Sequence, residues 1–489
     1  MTGFFAVSML SQEKTDADSV AFSEGNHLLK STHKNYILPS VEVLGLNTGV
    51  YLFDRFVLKA QYAQVDCQSI KFNLRNGFVW DNDHFSTNLF WHPYHGSLYF
   101  NAARSNGLNF WQSIPYAIGG SLTWEYFGEN KQPSINDLIA TPIGGIAVGE
   151  MGYRVANIFI DQSATGLERI GRELIAGLTS PMTFVNRLIS GDLWRYKPAS
   201  DESMRRPPFL LNISVANRFL TDLNNNRSNF NMMLTTQIVY GEHFINDLRS
   251  PYDFFAGNID LNIVGNQPLV SSASILGLIW GQEWHKKGSD FLTGVFQHFD
   301  YYDSKPLKNG AKQLFEFAET ASFGGGLLYA KKQKNSDNYC LAGGAFANLV
   351  ILGASESDWY NVKDRNYNLG TGYSIKINGT YFFSKQWYSG ISMKYYHFFT
   401  GNRQAVKTEE SVDMTSLNLK GNEGNARLAM ISTDINFIAT KHFKISANQQ
   451  FYLRNTHYKY FPDVKTISTE NKLILTYMLF DIGKENLNK

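Results

Sequence analysis

Between about Phe209 and Phe480 the chain repeatedly alternates apolar and polar residues, the two-residue period of a strand with unlike faces. Over Thr371–Phe383, Tyr373, Ile375, Ile377, Tyr381 and Phe383 fall on one side, and Ser374, Lys376, Asn378 and Thr380 on the other. Over Phe230–Tyr240, Phe230, Met232, Leu234, Ile238 and Tyr240 oppose Asn231, Thr235 and Gln237. Over Lys444–Arg454, Ile445, Ala447, Phe451 and Leu453 oppose Lys444, Ser446, Asn448 and Gln450. Similar segments begin near Phe209, Tyr252, Leu269, Asp290, Gln313, Tyr339, Gln386, Ala426 and Thr469, which predicts about 12 strands. An even count of long strands in one run fits a closed transmembrane barrel better than a soluble sandwich. The pairs Tyr301-Tyr302, Trp359-Tyr360, Trp387-Tyr388 and Tyr395-Tyr396 stand near predicted strand ends, where interfacial aromatic girdles sit.

Residues from about 90 to 195 have a different period. Pro93–Asn106, Phe110–Gly128 and Ser134–Ile160 show helical spacing with many small residues, and a fourth helix is predicted over Thr165–Leu178. A fifth begins at Pro181, a good first helical residue, and stops at Gly191. Ala140, Gly144, Gly145, Gly149 and Gly152 recur three and four apart, which lets another backbone come close. Pro142 is expected to kink that helix or mark its true start. Asn26–Asp83 is ambiguous, with Ile70–Arg75 strand-like. The pattern therefore gives an α+β chain: a signal-peptide remnant and disordered start expected at 1–26, a helical module of about four to five helices at 27–200, and an antiparallel transmembrane β-barrel of about 12 strands at 205–489.

Composition narrows the class. Only 18% of the 489 residues are charged, against roughly 25% in ordinary soluble domains, while Phe, Tyr and Trp make up 15%. So many aromatics exclude a disordered chain. A net charge of +2 leaves no field to attract nucleic acid. No uncharged apolar run is long enough for a bilayer helix. Met1–Leu10 looks like the end of a signal peptide's apolar region, and the residues from there to Asn26 are polar. Cys67 and Cys340 lie far apart and show neither metal-ligand spacing nor a disulfide framework.

The densest chemistry lies in the helices, in His92-Pro93-Tyr94-His95-Gly96-Ser97, Ser121–Glu129, Pro133–Asp137 and Gly144–Glu150. His92 and His95, three apart, share a helix face. With Glu125 or Asp137 alongside they form a candidate acid–base set, and weak candidates for a metal. Each residue also has a structural reading. Ser134-x-x-Asp137 is a capping-box pattern; Arg104 and Glu125 make one ion pair; Glu150 and Arg154, four apart, make a helix pair. Arg104, Ser121, Ser134 and Glu150 are assigned to such a structural polar network, and the structural reading of the whole set is preferred. His95, Arg104, Glu125 and Asp137 are expected to converge. His95 and Ser97, two apart, point about 200° apart on a helix and cannot form a local dyad. No cofactor is expected.

These stretches resemble a family of envelope proteins of Gram-negative bacteria defined only as a domain of unknown function. The shared pattern is His-Pro-Tyr-x-Gly-Ser-x-Tyr-Phe from His92, Ser-x-x-Trp-Glu from Ser121, Pro-Ser-x-Asn-Asp from Pro133 and Gly-Gly-x-x-x-Gly-Glu from Gly144. The resemblance covers about 80–200 and implies an outer-membrane location without an activity. A weaker likeness is to the VanZ-like membrane proteins, with His95, Glu125, Ser134, Asp137, Thr141 and Gly145 filling their pattern. Three functions are compatible with these features. The first, and preferred, is an outer-membrane barrel in contact with the lipid bilayer, whose helical module plugs or caps the lumen and which handles a small solute or lipid. The second is a lipid-remodelling hydrolase or acyltransferase using His92, His95, Glu125 and Asp137. The third is a structural envelope protein binding a periplasmic partner.

Overall fold

The computed structural model describes residues 34–81, 83–198, 207–224, 227–241, 244, 251–304, 315–334, 338–360, 365–401 and 420–481. The leader-like start lies outside them. The described residues form two compact units, one helical and one a β-barrel.

The helical unit contains α1 (Leu38–Leu52), α2 (Cys67–Arg75), α3 (His92–Ser105), α4 (Phe110–Phe127), α5 (Ile135–Ile139), α6 (Gly145–Phe159), α7 (Gly166–Thr179) and α8 (Pro181–Ser190). Local chemistry sets their ends. Asn109 Oδ1 accepts from the Gln112 amide at 2.9 Å and Gln112 Oε1 accepts from the Asn109 amide at 3.2 Å, a reciprocal cap for α4. Gly191, at φ 74°, ends α8 in the left-handed region, as its position after the last periodic residue suggests. Pro142 sits inside a π-helical turn, Ala140–Gly144, that separates α5 from α6; lacking an N–H, it breaks the regular ladder where the sequence reading expected a kink.

The strand-like reading of Ile70–Arg75 is corrected: this segment is helical. Ile70, Phe72 and Leu74 alternate, but Asp66 Oδ1 accepts from the Ser69 amide at 2.7 Å while Ser69 Oγ accepts from the Asp66 amide at 3.0 Å, and this box starts a helix. The ambiguous stretch before it contains α1.

Close backbone approach between α3 and the start of α6 centres on two glycines. A Cβ on Gly96 would lie 1.7 Å from the Thr141 carbonyl oxygen, and one on Gly145 would lie 2.5 Å from the Gly96 carbonyl carbon. Both obstacles are backbone, so neither can swing aside. Gly96→Ala should therefore lower stability by about 1–3 kcal/mol or more. Gly119→Ala, in α4 with open space around it, should instead gain up to about 1 kcal/mol. Thermal melts of the two variants beside wild type check the contrast.

The barrel is closed and antiparallel. Its strands are β1 (Phe209–Asp222), β2 (Arg227–Tyr240), β3 (Phe255–Val264), β4 (Val270–Lys286), β5 (Ser289–Asp303), β6 (Glu316–Lys332), β7 (Tyr339–Glu356), β8 (Tyr367–Phe382), β9 (Trp387–Thr400), β10 (Gly424–Ile438), β11 (Phe443–Tyr458) and β12 (Val464–Asp481). Each pairs with its sequence neighbours, and β1 closes the ring on β12 in register Ala216↔Ile474. Closure leaves no open edge. The faces follow the alternation: Ile375 and Ile377 are 44% and 50% exposed on the outside, whereas Lys376 and Asn378 are 1% and 8% exposed inside. The same holds on β11, with Ile445 outside and Lys444 and Ser446 inside.

The aromatic pairs do not all belong to girdles. Adjacent strand residues point to opposite faces. Trp387 faces outward while Tyr388 is buried in a lumen cluster, and Tyr302 and Tyr396 also turn inward. One residue of such a pair is at most a girdle residue.

Candidate functional site

In the helical unit, a short bridge between Val79 and Ser134 pins the chain before α3 against the start of α5. The Val79 amide donates to the Pro133 carbonyl at 2.9 Å and the Ile135 amide to the Val79 carbonyl at 2.7 Å. This places Asp81 beside Asn136. The Asp81 Oδ1 accepts from Asn88 at 2.7 Å and from Asn136 at 3.0 Å, and the same Asn136 amide donates to Asp137 Oδ1 at 2.8 Å. His92, at the head of α3, brings Nε2 to 3.6 Å from Asp137 Oδ1. From α4, Glu125 Oε2 accepts the Ser134 amide at 2.7 Å. Ser134 Oγ in turn caps α5 through the Asp137 amide at 3.3 Å, and Ser121 Oγ donates to the Asp137 carbonyl at 3.4 Å. His95 lies between the rings of Tyr99 and Trp124, at 4.8 and 5.8 Å, and its buried Nε2 has no hydrogen-bond partner among the described residues.

Three elements thus bring His92, Glu125 and Asp137 into one neighbourhood. Arg104 is not part of it. The expected Arg104–Glu125 pair is replaced by Arg104–Glu150, at 2.7 and 3.0 Å, with Arg154 Nε also on Glu150 at 2.7 Å. Arg104 further donates to the Leu108 carbonyl at 2.6 Å and lies over the Tyr153 ring. The reason is geometric: Arg104 is about three turns along α3 from His92, where it meets α6 rather than the Glu125 end of α4.

Burial dominates the electrostatics around Asp137. It pushes the carboxyls of Glu125 and Asp137 well above their ordinary range, reinforced for Asp137 by the charges of Asp81, Glu125 and Asp83. Glu129, which accepts the Trp124 indole N–H at 2.9 Å, is pushed up to about 7 by burial and by Asp83. Burial also lowers both imidazoles, His95 to about 4, against the raising effect of Asp83 and Asp81 on His92. Burial thus favours the neutral imidazoles and shifts these carboxyls towards holding their protons. Such groups can pass a proton, but the nearby serines are engaged: Ser97 Oγ donates to the Tyr94 carbonyl at 2.5 Å, and Ser121 and Ser134 are bonded as above. Among the described residues no group of three His, Cys, Asp or Glu side chains is placed to hold a metal ion. Asp81 and Asp83 escaped the sequence reading, because they lie before α3 in the stretch left ambiguous; Trp80-Asp81-Asn82-Asp83 was their only signal.

These shifts give the helical unit a pH-dependent stability. The folded-state values of Glu125, Glu129 and Asp137 lie above those of an unfolded chain. Their contribution is full below the ordinary carboxyl range and is lost as pH rises through the folded values, near 7 for Glu129. The lowered histidines oppose this only below their ordinary 6.5. Between pH 6.5 and 8 the helical unit should therefore lose stability. Glu129→Gln, which keeps an acceptor for the Trp124 indole N–H, should flatten that decline and raise the melting temperature at pH 8. Helical circular dichroism melts across this range test it. Glu125→Gln strands no cation at Arg104, since Arg104 is held by Glu150.

The barrel presents a second site. Its lumen is apolar towards both ends. Leu276, Leu278, Phe296, Phe346, Phe382 and Tyr388 pack together towards the end where β1 begins. Leu220, Phe317, Val350, Phe398, Leu428 and Tyr452 pack towards the other. Between them lies a polar layer. Lys376 from β8 meets Asp300 of β5 at 2.6 Å and Glu319 of β6 at 2.8 Å, while Lys394 of β9 meets Asp300 at 3.1 Å. Beside this brace is a cavity of about 180 Å³ reached by Arg218, Asp260, Lys394, Glu470 and Lys472. Alternation turns Lys376 inward, but does not say which charged residues meet, since partners in the lumen lie as much as 252 residues apart.

Residues 77–182 match the model of a family described as "Domain of unknown function (DUF3943)", a span that takes in all the helical candidate residues. No curated protein matches the chain. Among solved structures the chain is similar to the KdgM porin, at 10% identity and a TM-score of 0.23, covering 55% of this chain and 99% of that one. It is also similar to the outer membrane channel DcaP of Acinetobacter baumannii, at 9% identity and a TM-score of 0.23 over 55% and 96% of the two chains. For the Pseudomonas putida toluene transporter TodX the values are 9%, 0.23, 57% and 90%. At these scores the likenesses carry no functional argument, and the fold rests on the strand pairing itself.

Proposed function

We propose that the protein is an outer-membrane β-barrel that handles a small polar solute in its lumen, with the helical unit as a plug or cap whose polar cluster is structural. The observation that supports this reading most is the polar cavity at mid-lumen, between apolar clusters towards either end. The apolar outer wall suits hydrocarbon, whereas a soluble barrel gains nothing by exposing Ile375, Ile377, Leu473 and Leu475. A lumen packed in this way suits selective, saturable handling rather than free diffusion through a wide pore. Proteoliposomes should accordingly show saturable uptake of small polar solutes. A large, non-saturating conductance, or no exchange by correctly inserted barrel, would count against the proposal.

A partner-binding role for the helical unit has one specific observation in its favour. On α7, Arg169 and Glu173 turn inward and pair at 3.4 Å, while Leu167, Ile170, Leu174 and Leu178 face outward. This is the reverse of a solvated amphipathic helix. Recovery of a stoichiometric partner by crosslinking at Leu174→Cys, lost when Ile170→Glu is added, would favour that role over solute handling. The hydrolase reading draws on the 3.6 Å approach of His92 to Asp137, but the bonded serines leave it without a ready nucleophile.

A further inference from the structure

We propose that the mid-lumen cavity binds a small, uncharged, polyhydroxylated solute of the monosaccharide or polyol class, anchored by Arg218; this rests on the reading of the lumen as the solute-handling part.

Charge balance argues for an uncharged occupant. Each carboxylate already has a cation beside it. Glu470 takes Arg218 Nε at 3.1 Å, Lys472 at 2.5 Å and the Tyr452 hydroxyl at 2.6 Å. Asp260 accepts from Ser272 at 2.7 Å and Asn258 at 3.1 Å, with Lys472 at 3.7 Å. Lys394 is neutralised from behind by Asp300, which it shares with Lys376, and Lys376 also holds Glu319. These four cations thus face four carboxylates, and an ionic ligand of either sign would enter without a counter-charge.

Hydrogen-bonding capacity argues for hydroxyls. Arg218 is 2% exposed, and its Nη1 has no hydrogen-bond partner among the described residues although it belongs to a residue of the cavity wall. A buried guanidinium donor left unpaired is costly, so the occupant should present an oxygen acceptor there. Most of the uncharged wall is made of Ser, Thr, Asn and Gln side chains, Gln450 among them, which donate and accept alike. Tyr302 and Tyr452 add ring surface. Hydroxyl groups, which also do both, match this wall better than an ammonium, which only donates, or a carboxylate, which only accepts.

The test uses the full chain purified in detergent and three probes on one skeleton: glucose, gluconate and glucosamine. Binding is followed by saturation-transfer NMR titration. Glucose should bind most tightly. Arg218→Gln should weaken it about tenfold, the loss of one charged hydrogen bond. Because Arg218→Gln disturbs the Glu470 pair, Gln450→Leu serves as a second variant that touches no ion pair, and it too should weaken glucose. Gluconate or glucosamine binding more tightly than glucose would overturn the proposal, as would glucose binding indifferent to both substitutions. Glucose binding that depends on Arg218 without uptake into proteoliposomes would keep the site and defeat the transport reading. Saturable uptake of other solutes with no glucose binding would do the opposite.

Discussion

Glu150→Ala is expected to unfold the helical unit, at a cost of about 3–5 kcal/mol. Glu150 is 0% exposed and is the shared carboxylate of Arg104 and Arg154, both buried. Removing it takes from two buried guanidinium groups the carboxylate they share in a dry interior. The aromatic face of Tyr153, 4.5 Å from the Arg104 guanidinium, offsets little of that loss. Glu168→Ala provides the control. Glu168 also pairs with an arginine four residues on, Arg172 at 2.8 Å, but is 62% exposed, so its loss should cost no more than about 0.5 kcal/mol. Helical melts of the two variants beside wild type measure the difference. Equal, small effects would mean that Glu150 is not the keystone its burial implies.

Ile377→Arg should destabilise the barrel by about 2–4 kcal/mol if it stands near the bilayer midplane, because this side chain would lie against hydrocarbon. Asn378→Arg, one residue on, should be tolerated far better, since Asn378 faces the polar lumen. Only a strand with a lipid face and a lumen face separates neighbours in this way. Unfolding in urea from detergent or bilayers, monitored by gel mobility, compares the pair. A soluble sandwich would penalise the inward substitution more.

The barrel was legible because alternation reports burial directly: the side chains at 374, 376 and 378 must be polar if the lumen is polar, whatever their partners. The helices from α3 onward were legible for a related reason, since small residues at Gly144, Gly145 and Gly149 mark a packed face. The same logic misread Ile70, Phe72 and Leu74, where an alternating triplet lies on a helix started by Asp66 and Ser69. Pairing was not legible. Glu125 and Glu150 are both buried glutamates on helices, and choosing between them as the partner of Arg104 requires knowing which helix packs against which part of α3. Nor could sequence separate inward from outward members of Trp387-Tyr388 and its like until register was known. The lumen cavity was invisible for a stronger reason: it depends on which polar side chains brace one another and which stop short.

A barrel wall with lipid outside and a polar lumen inside underlies the proposed solute handling. Its most direct measurement is oxygen accessibility of nitroxide labels placed singly along β11 in the protein reconstituted in bilayers, with Cys67 and Cys340 replaced by serine. High oxygen accessibility is expected at 445, 447, 451 and 453 and low values at 446, 448 and 450, a period of two. A flat profile, or labels at 445 and 447 open to a water-soluble relaxant, would contradict such a wall.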